Sequence, residues 1–112
     1  MKYKEIIKLK EMLENNDEIS IDFTFVKKYY GCQIHSNDFS HDTWKGWSVI
    51  ENVMSYGNKD DLLEIAGEIL TEKEKRHLTG FDVVGSLSAE NVYRRIVEFE
   101  KRRKSSKVSL QK

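Results

Sequence analysis

Proline is absent from this chain, cysteine occurs once, and only 38% of the residues are apolar. A lone cysteine, Cys32, excludes an internal disulfide, and its use fits a reducing compartment. No apolar run approaches the roughly 20 residues that would span a bilayer. The start, Met1-Lys2-Tyr3-Lys4-Glu5, has no apolar signal region either, so the expectation is a cytoplasmic protein. Scarce apolar residues beside 34% charged ones imply a thin core under a heavily charged surface. That imbalance points to a domain that gains stability by self-association as a homodimer. Its 112 residues suffice for one domain burying roughly 65% of the unfolded surface, with no disulfide or metal needed.

Catalytic framing is also missing. No nucleophile elbow, glycine-rich anion loop or internal repeat occurs. Cys32, His35 and His41 lie close together, but a structural zinc site needs four ligands, usually in paired clusters, and the remaining histidine, His77, is distant. Cys32 reads instead as a small core residue. The adjacent acids Asp60 and Asp61 suit a helix start better than an acid/base dyad. The expectation is therefore a non-enzymatic protein with no cofactor and no metal.

What is present begins with charge. Net charge is zero, yet Arg94 to Lys112 holds eight basic and two acidic residues, so this +6 segment faces a −6 remainder. Tyr3, Ile6, Leu9 and Leu13, broadened by Ile7 and Met12, predict an amphipathic first helix that Asn15-Asn16-Asp17 ends. Ile19, Ile21, Phe23 and Phe25 alternate with polar residues as a strand with one wet face. After a turn over Lys27 to Gly31, Cys32 to His35 predicts a second strand. A polar loop from Ser36 to Thr43 leads to a third over Trp44 to Val53, with Gly46 as a bulge.

Leu62, Leu63, Ile65, Ala66 and Ile69 are spaced for a helix over Lys59 to Leu70, with Asp60 and Asp61 at its positive end. Thr71-Glu72-Lys73-Glu74 has the form of a capping box, and Thr79-Gly80 stops the helical turn it opens. Phe81 to Leu87 is a fourth strand or an extended connector. Ser88 caps a last helix with the stripe Val92, Ile96 and Phe99. The expected fold is α+β in a single domain, residues 1–104. A three- or four-stranded antiparallel sheet is packed by two or three helices, followed by a flexible basic tail over 105–112.

Two residue sets could recognise partners. The acids Asp60, Asp61, Glu64 and Glu68 would meet a basic protein surface. Alternatively Arg94, Arg95, Arg102 and Arg103 would clamp phosphates while Trp44 or Tyr56 stacks on the base of a small cyclic nucleotide. The run Lys101 to Lys104 also admits a nucleic-acid-binding regulator, against which stand the acidic body and the natural complement of cations to a helix C-terminus. Tyr29, Tyr30 and Trp44 are the aromatics least clearly assigned to the core.

The segments Lys8-Leu9-Lys10-Glu11-Met12-Leu13-Glu14, Gly31-Cys32-Gln33-Ile34, Ser48-Val49-Ile50-Glu51, Ser55-Tyr56-Gly57, Asp61-Leu62-Leu63-Glu64-Ile65 and Val83-Val84-Gly85-Ser86-Leu87-Ser88-Ala89-Glu90-Asn91-Val92 follow in an order that resembles a family of small phage and prophage proteins of Gram-positive bacteria. Abundant Lys, Asn, Ile and Glu without proline also suits an AT-rich coding sequence. The resemblance spans about residues 4–97 and departs from the family at Asn37 to Lys45 and after Ile96. It carries over no catalytic residue. It implies an accessory protein that counters a host antiviral defence by binding, either blocking an effector protein surface in the manner of an anti-CRISPR or sequestering a nucleotide signal.

Overall fold

The computed structural model describes residues 3–55, 57–77 and 83–110. The first helix, α1, covers Lys4–Asn15 and buries Ile6, Leu9 and Leu13. Its stripe is the one the 3.6-residue spacing predicts. Four strands follow: β1 (Phe23–Lys28), β2 (Gly31–Ser36), β3 (Trp47–Asn52) and β4 (Leu63–Gly67). A short helix α2 (Glu72–His77), the strand β5 (Val83–Leu87) and a long helix α3 (Ala89–Leu110) complete the chain. The sheet is a five-stranded antiparallel meander in the order β1-β2-β3-β4-β5, one strand more than expected.

One row of side chains explains why the strands align. Register pairs Phe25 with Ile34, Ile34 with Val49, Val49 with Ile65, and Ile65 with Val84. Side chains alternate between faces along a strand, so this row fixes one face of every strand as core. Trp47 and Leu63 join it, and all the central members are fully buried. Both α1 and α3 lie on that face, packing Leu9, Leu13, Val92, Ile96 and Phe99 against it.

The two helices run in the same direction. Lys8 of α1 pairs with Glu90 at the start of α3, while Glu18, just past α1, pairs with Lys101 near the end of α3. Parallel helices bring two positive dipole ends together, a repulsion that acids relieve. Both carboxylate oxygens of Asp61 accept from the Lys4 backbone N–H, at 3.0 and 3.2 Å. Glu5 accepts from the Ala89 backbone N–H at 3.2 Å, and Ser88 Oγ accepts from Asn91 N–H at 3.3 Å.

The helix expected over Lys59 to Leu70 does not form. Asn58–Asp60 is a single 3₁₀ turn, and Leu63–Gly67 is the strand β4. Leu63 and Ile65 face the core, whereas Glu64 and Ala66, also nearly buried, face the other side, so a strand covered on both faces imitates helical spacing. Left-handed backbone at Asp61 (φ 60°) and Gly67 (φ 98°) delimits it. The first strand also begins later than expected, at Phe23, because the ladder with β2 starts at the Phe23–Ser36 pair. The expected third strand is shorter, starting at Trp47. Trp44 lies in the preceding loop with φ 54°.

The capping box is present: Thr71 N–H donates to Glu74 at 2.7 Å and Glu74 N–H donates to Thr71 Oγ1 at 3.1 Å. Thr79, Gly80, Phe81 and Asp82 lie outside the described residues. α3 continues to Leu110, into the stretch read as tail. No helix among the described residues is long and apolar enough to cross a membrane.

Gly67 shows how closely β4 meets the start of β3. A Cβ there would lie 2.3 Å from the Gly46 carbonyl oxygen on backbone already at positive φ. Gly67→Ala is expected to lower the unfolding free energy by more than about 1 kcal/mol, measured by urea denaturation.

Candidate interaction site

Two turns meet at one end of the sheet. β1 and β2 are joined by Tyr29-Tyr30, and β3 leaves the sheet through Val53-Met54. The pair Gly31–Asn52 brings them together, and Val53 N–H donates to the Tyr30 carbonyl at 3.2 Å. A Cβ at Gly31 would lie 2.2 Å from Asn52 Cβ, so only glycine permits the approach.

The second turn is held by its own hydrogen bonds. Asn52 N–H donates to Ser55 Oγ at 2.9 Å, Met54 N–H donates to Asn52 Oδ1 at 2.8 Å, and Asn58 Nδ2 donates to the Val53 carbonyl at 2.8 Å. An asparagine side chain that bonds its own backbone two residues on fixes such a turn. The tip it supports is apolar: Tyr29 is 99% exposed, Met54 86%, Val53 58% and Tyr30 45%. The tyrosine rings meet edge to face at 5.2 Å. Exposed Lys27 and Lys28 precede them.

Glu51 lies behind this tip. Its side chain is fully buried and neither oxygen has a well-formed hydrogen bond among the described residues. Burial pushes its carboxyl up to about 8, and the neighbouring Asp61 carboxylate adds to the rise. Cys32, opposite Glu51 in the ladder, is buried as expected, and burial raises its thiol too.

The residues singled out in the sequence do not converge. Asp60 is exposed in the 3₁₀ turn, while Asp61 is engaged at the start of α1. Glu64 is 8% exposed on the sheet face opposite the helices. Exposed Glu68 accepts from Gly46 N–H at 2.7 Å. These acids therefore do not form a single patch.

The arginines divide in the same way. Arg95 donates to both Glu74 oxygens at 2.8 and 2.9 Å and to the Ile69 carbonyl at 3.1 Å. Mainly through that bond, Glu74 is held down to about 2. Arg103 donates to Asp38 at 2.7 Å and Glu100 at 2.8 Å, and its guanidinium lies over Phe99. Glu100 in turn accepts from the Trp47 indole at 3.2 Å, which fixes Arg103 as a link between sheet and helix. Arg94 and Arg102 are exposed and make no ion pair among the described residues.

Trp44 packs with Phe39 and His41 and borders a cleft with Gln33, Ser48 and Ile50. Those strand residues alternate with core-facing ones, so the cleft opens away from α3 and its arginines. Tyr56 lies outside the described residues. A phosphate clamp joining Trp44 to Arg102 and Arg103 is thus not assembled here. Among the described residues, no cluster of three or more His, Cys, Asp or Glu side chains is arranged to hold a metal ion.

Sequence reasoning flagged Tyr29 and Tyr30 but missed Val53 and Met54, because Val53 reads as a strand end. The hint was Asn52 three residues before Ser55, a turn signal. Comparison with protein-family models, curated proteins and solved structures finds no match to this chain.

Two measurements test these assignments. Arg95→Met and Arg103→Met should each lower the unfolding free energy by roughly 1–3 kcal/mol, since a partly buried carboxylate loses its cation. Arg94→Met and Arg102→Met should stay within about 0.5 kcal/mol of wild type.

For Glu51, a folded-state pKa near 8 against an ordinary value of 4.5 means the folded protein holds the proton more tightly. Its contribution is complete below pH 4.5 and is lost as pH rises toward 8. Urea midpoints should therefore fall from pH 5 to pH 8 in wild type more steeply than in Glu51→Gln. Parallel profiles would show that Glu51 ionises as readily folded as unfolded.

Proposed function

We propose that this chain is a non-enzymatic phage accessory protein that counters a host defence by occupying an effector protein's surface through the Tyr29-Tyr30 and Val53-Met54 tip. The observation that carries the binding reading is the exposure of those four large side chains on two turns tied together by backbone hydrogen bonds. Aromatic residues and methionine are enriched in interface cores, and a turn held rigid before contact loses little freedom on binding. The phage and defence context rests on the family resemblance. With Lys27 and Lys28 beside the apolar centre, the complementary surface is an apolar pocket with an acidic rim.

The nucleic-acid alternative has less in its favour. Lys101 pairs with Glu18, Arg103 with Asp38 and Glu100, and Lys104 bonds the Ser20 carbonyl. These contacts commit most of the basic run to the body of the molecule.

The test is capture of a partner from a low-GC Gram-positive lysate by wild type, by Tyr29→Ser/Met54→Ser and by Arg94→Ser/Arg102→Ser, followed by affinity measurement with the purified partner. The tip variant should bind at least thirtyfold more weakly, about 2 kcal/mol, with unchanged thermal stability. The arginine variant should bind as wild type does. Loss confined to the arginine variant, with binding that falls steeply with salt, would overturn the proposal in favour of a nucleic-acid reader.

A further inference from the structure

β1 is an edge strand, and its outer side has no strand partner among the described residues. Lys28 and Gly31 flank a two-residue turn and so form a hydrogen-bonded pair of the hairpin. Alternation then directs Val26 and Thr24 toward β2, leaving the backbone N–H and C=O groups of Phe23, Phe25 and Lys27 pointing outward. None of these groups makes a hydrogen bond among the described residues. An unpaired row of this kind is a template for another strand.

The sequence of the edge is complementary to itself. Reading Asp22-Phe23-Thr24-Phe25-Val26-Lys27-Lys28 against a second copy in the opposite direction, with the two-fold axis at Phe25, aligns every outward-pointing residue. Phe25 meets Phe25 of the second copy, and Phe23 meets Lys27 in both directions. All three are hydrogen-bonded pairs, each exchanging two N–H···O bonds. Shifting the register by two residues leaves one outward residue of each copy without an outward partner.

The side chains favour the same register. Asp22 and Lys28 are both exposed; Lys28 projects from the face opposite the helices, as do Thr24 and Val26, while Asp22, just before the strand, also borders a cleft with Glu100, Arg103 and Lys104 of α3. In this pairing Asp22 stands directly opposite Lys28 of the second copy at both ends, and Thr24 stands opposite Val26. Opposite charges and β-branched residues in such positions stabilise a ladder. Neither Asp22 nor Lys28 makes an ion pair within the chain among the described residues.

We propose that two copies of this chain associate through β1, antiparallel and centred on Phe25, to form one continuous ten-stranded sheet. The same register places the two Tyr29-Tyr30 tips at opposite ends of the interface. This assembly does not depend on the tip having a partner, so either proposal can fail alone.

The test uses the full chain in native mass spectrometry and amide hydrogen exchange at rising protein concentration. Wild type should give a dimer, with the amides of Phe23, Phe25 and Lys27 becoming protected as the dimer fills and those of Thr24 and Val26 protected throughout. Asp22→Lys and Lys28→Asp should each shift the population to monomer, and the double variant should recover the dimer because the charge pair is restored with reversed sign. A monomer at every concentration would overturn the proposal. So would a dimer whose Phe23, Phe25 and Lys27 amides exchange as fast as in the monomer, since that dimer would use another surface. A folded double variant that stays monomeric would overturn the register centred on Phe25.

Discussion

The row Phe25–Ile34–Val49–Ile65–Val84 is the constraint from which the remaining architecture follows. With apolar residues so scarce, a single layer of helices is all the chain can cover. The antiparallel meander puts one large side chain per strand into a continuous line beneath it. A one-residue slip turns every core-facing side chain of a strand to the other face, and in one direction it puts Thr24 of β1 or Ser48 of β3 into that row. Trp47 then extends the core toward the far end of α3, where its indole bonds Glu100 and through Glu100 reaches Arg103 and Asp38. Packing thus sets the register, and the ion pairs fix the long helix upon it.

Charge segregation in the sequence becomes neutralisation within the fold. The basic run before residue 105 is tied to the body: Lys101, Arg103 and Lys104 reach Glu18, Asp38 and the Ser20 carbonyl, which lie after α1 and after β2. At the opposite end the acids Glu5, Asp61 and Glu90 gather where the two parallel helices begin. Each concentration of like charge in the chain therefore faces a backbone dipole or an opposite charge. Among the described residues, Arg94 and Arg102 on α3 and Lys27 and Lys28 at the end of β1 are exposed cations, adjacent or on one helix, that make no ion pair.

Legibility in the sequence follows the range of the interaction. α1, the capping box and the start of α3 are governed by contacts within four residues, and their signals are plain. β4 is not, because Leu63 to Gly67 is flanked by strands and buried on both faces, and its apolar run fits either period. Its real markers are single residues: Asp61 with φ 60° and Gly67 with φ 98°. The roles of Arg95 and Arg103 could not be read at all, since Glu74 lies 21 residues away and Asp38 lies 65. An arginine looks available until the fold supplies its acid. The tip was half legible, as the adjacent tyrosines announce surface aromatics, whereas Val53 and Met54 become visible only once β3 is known to stop at Asn52.

Edge and tip belong to one physical problem. A five-stranded sheet must end somewhere, and β1 ends it with Phe23 and Phe25 turned inward and Lys27 and Lys28 at the exposed margin, a charge arrangement that discourages indiscriminate pairing. The same lysines tolerate one register, the one that presents Asp22 to Lys28. A short edge that rejects most strands and accepts its own copy is a specificity device, since wrong registers leave like charges adjacent or outward backbone groups unpaired. Pairing in that register would carry two rigid apolar tips on a single rigid sheet. A partner that is itself symmetric, or that offers two acidic-rimmed pockets at the matching distance, would then be held by both at once, with the second contact made at high effective concentration. Two weak tips on a small, thinly cored domain would thereby achieve what one tip cannot.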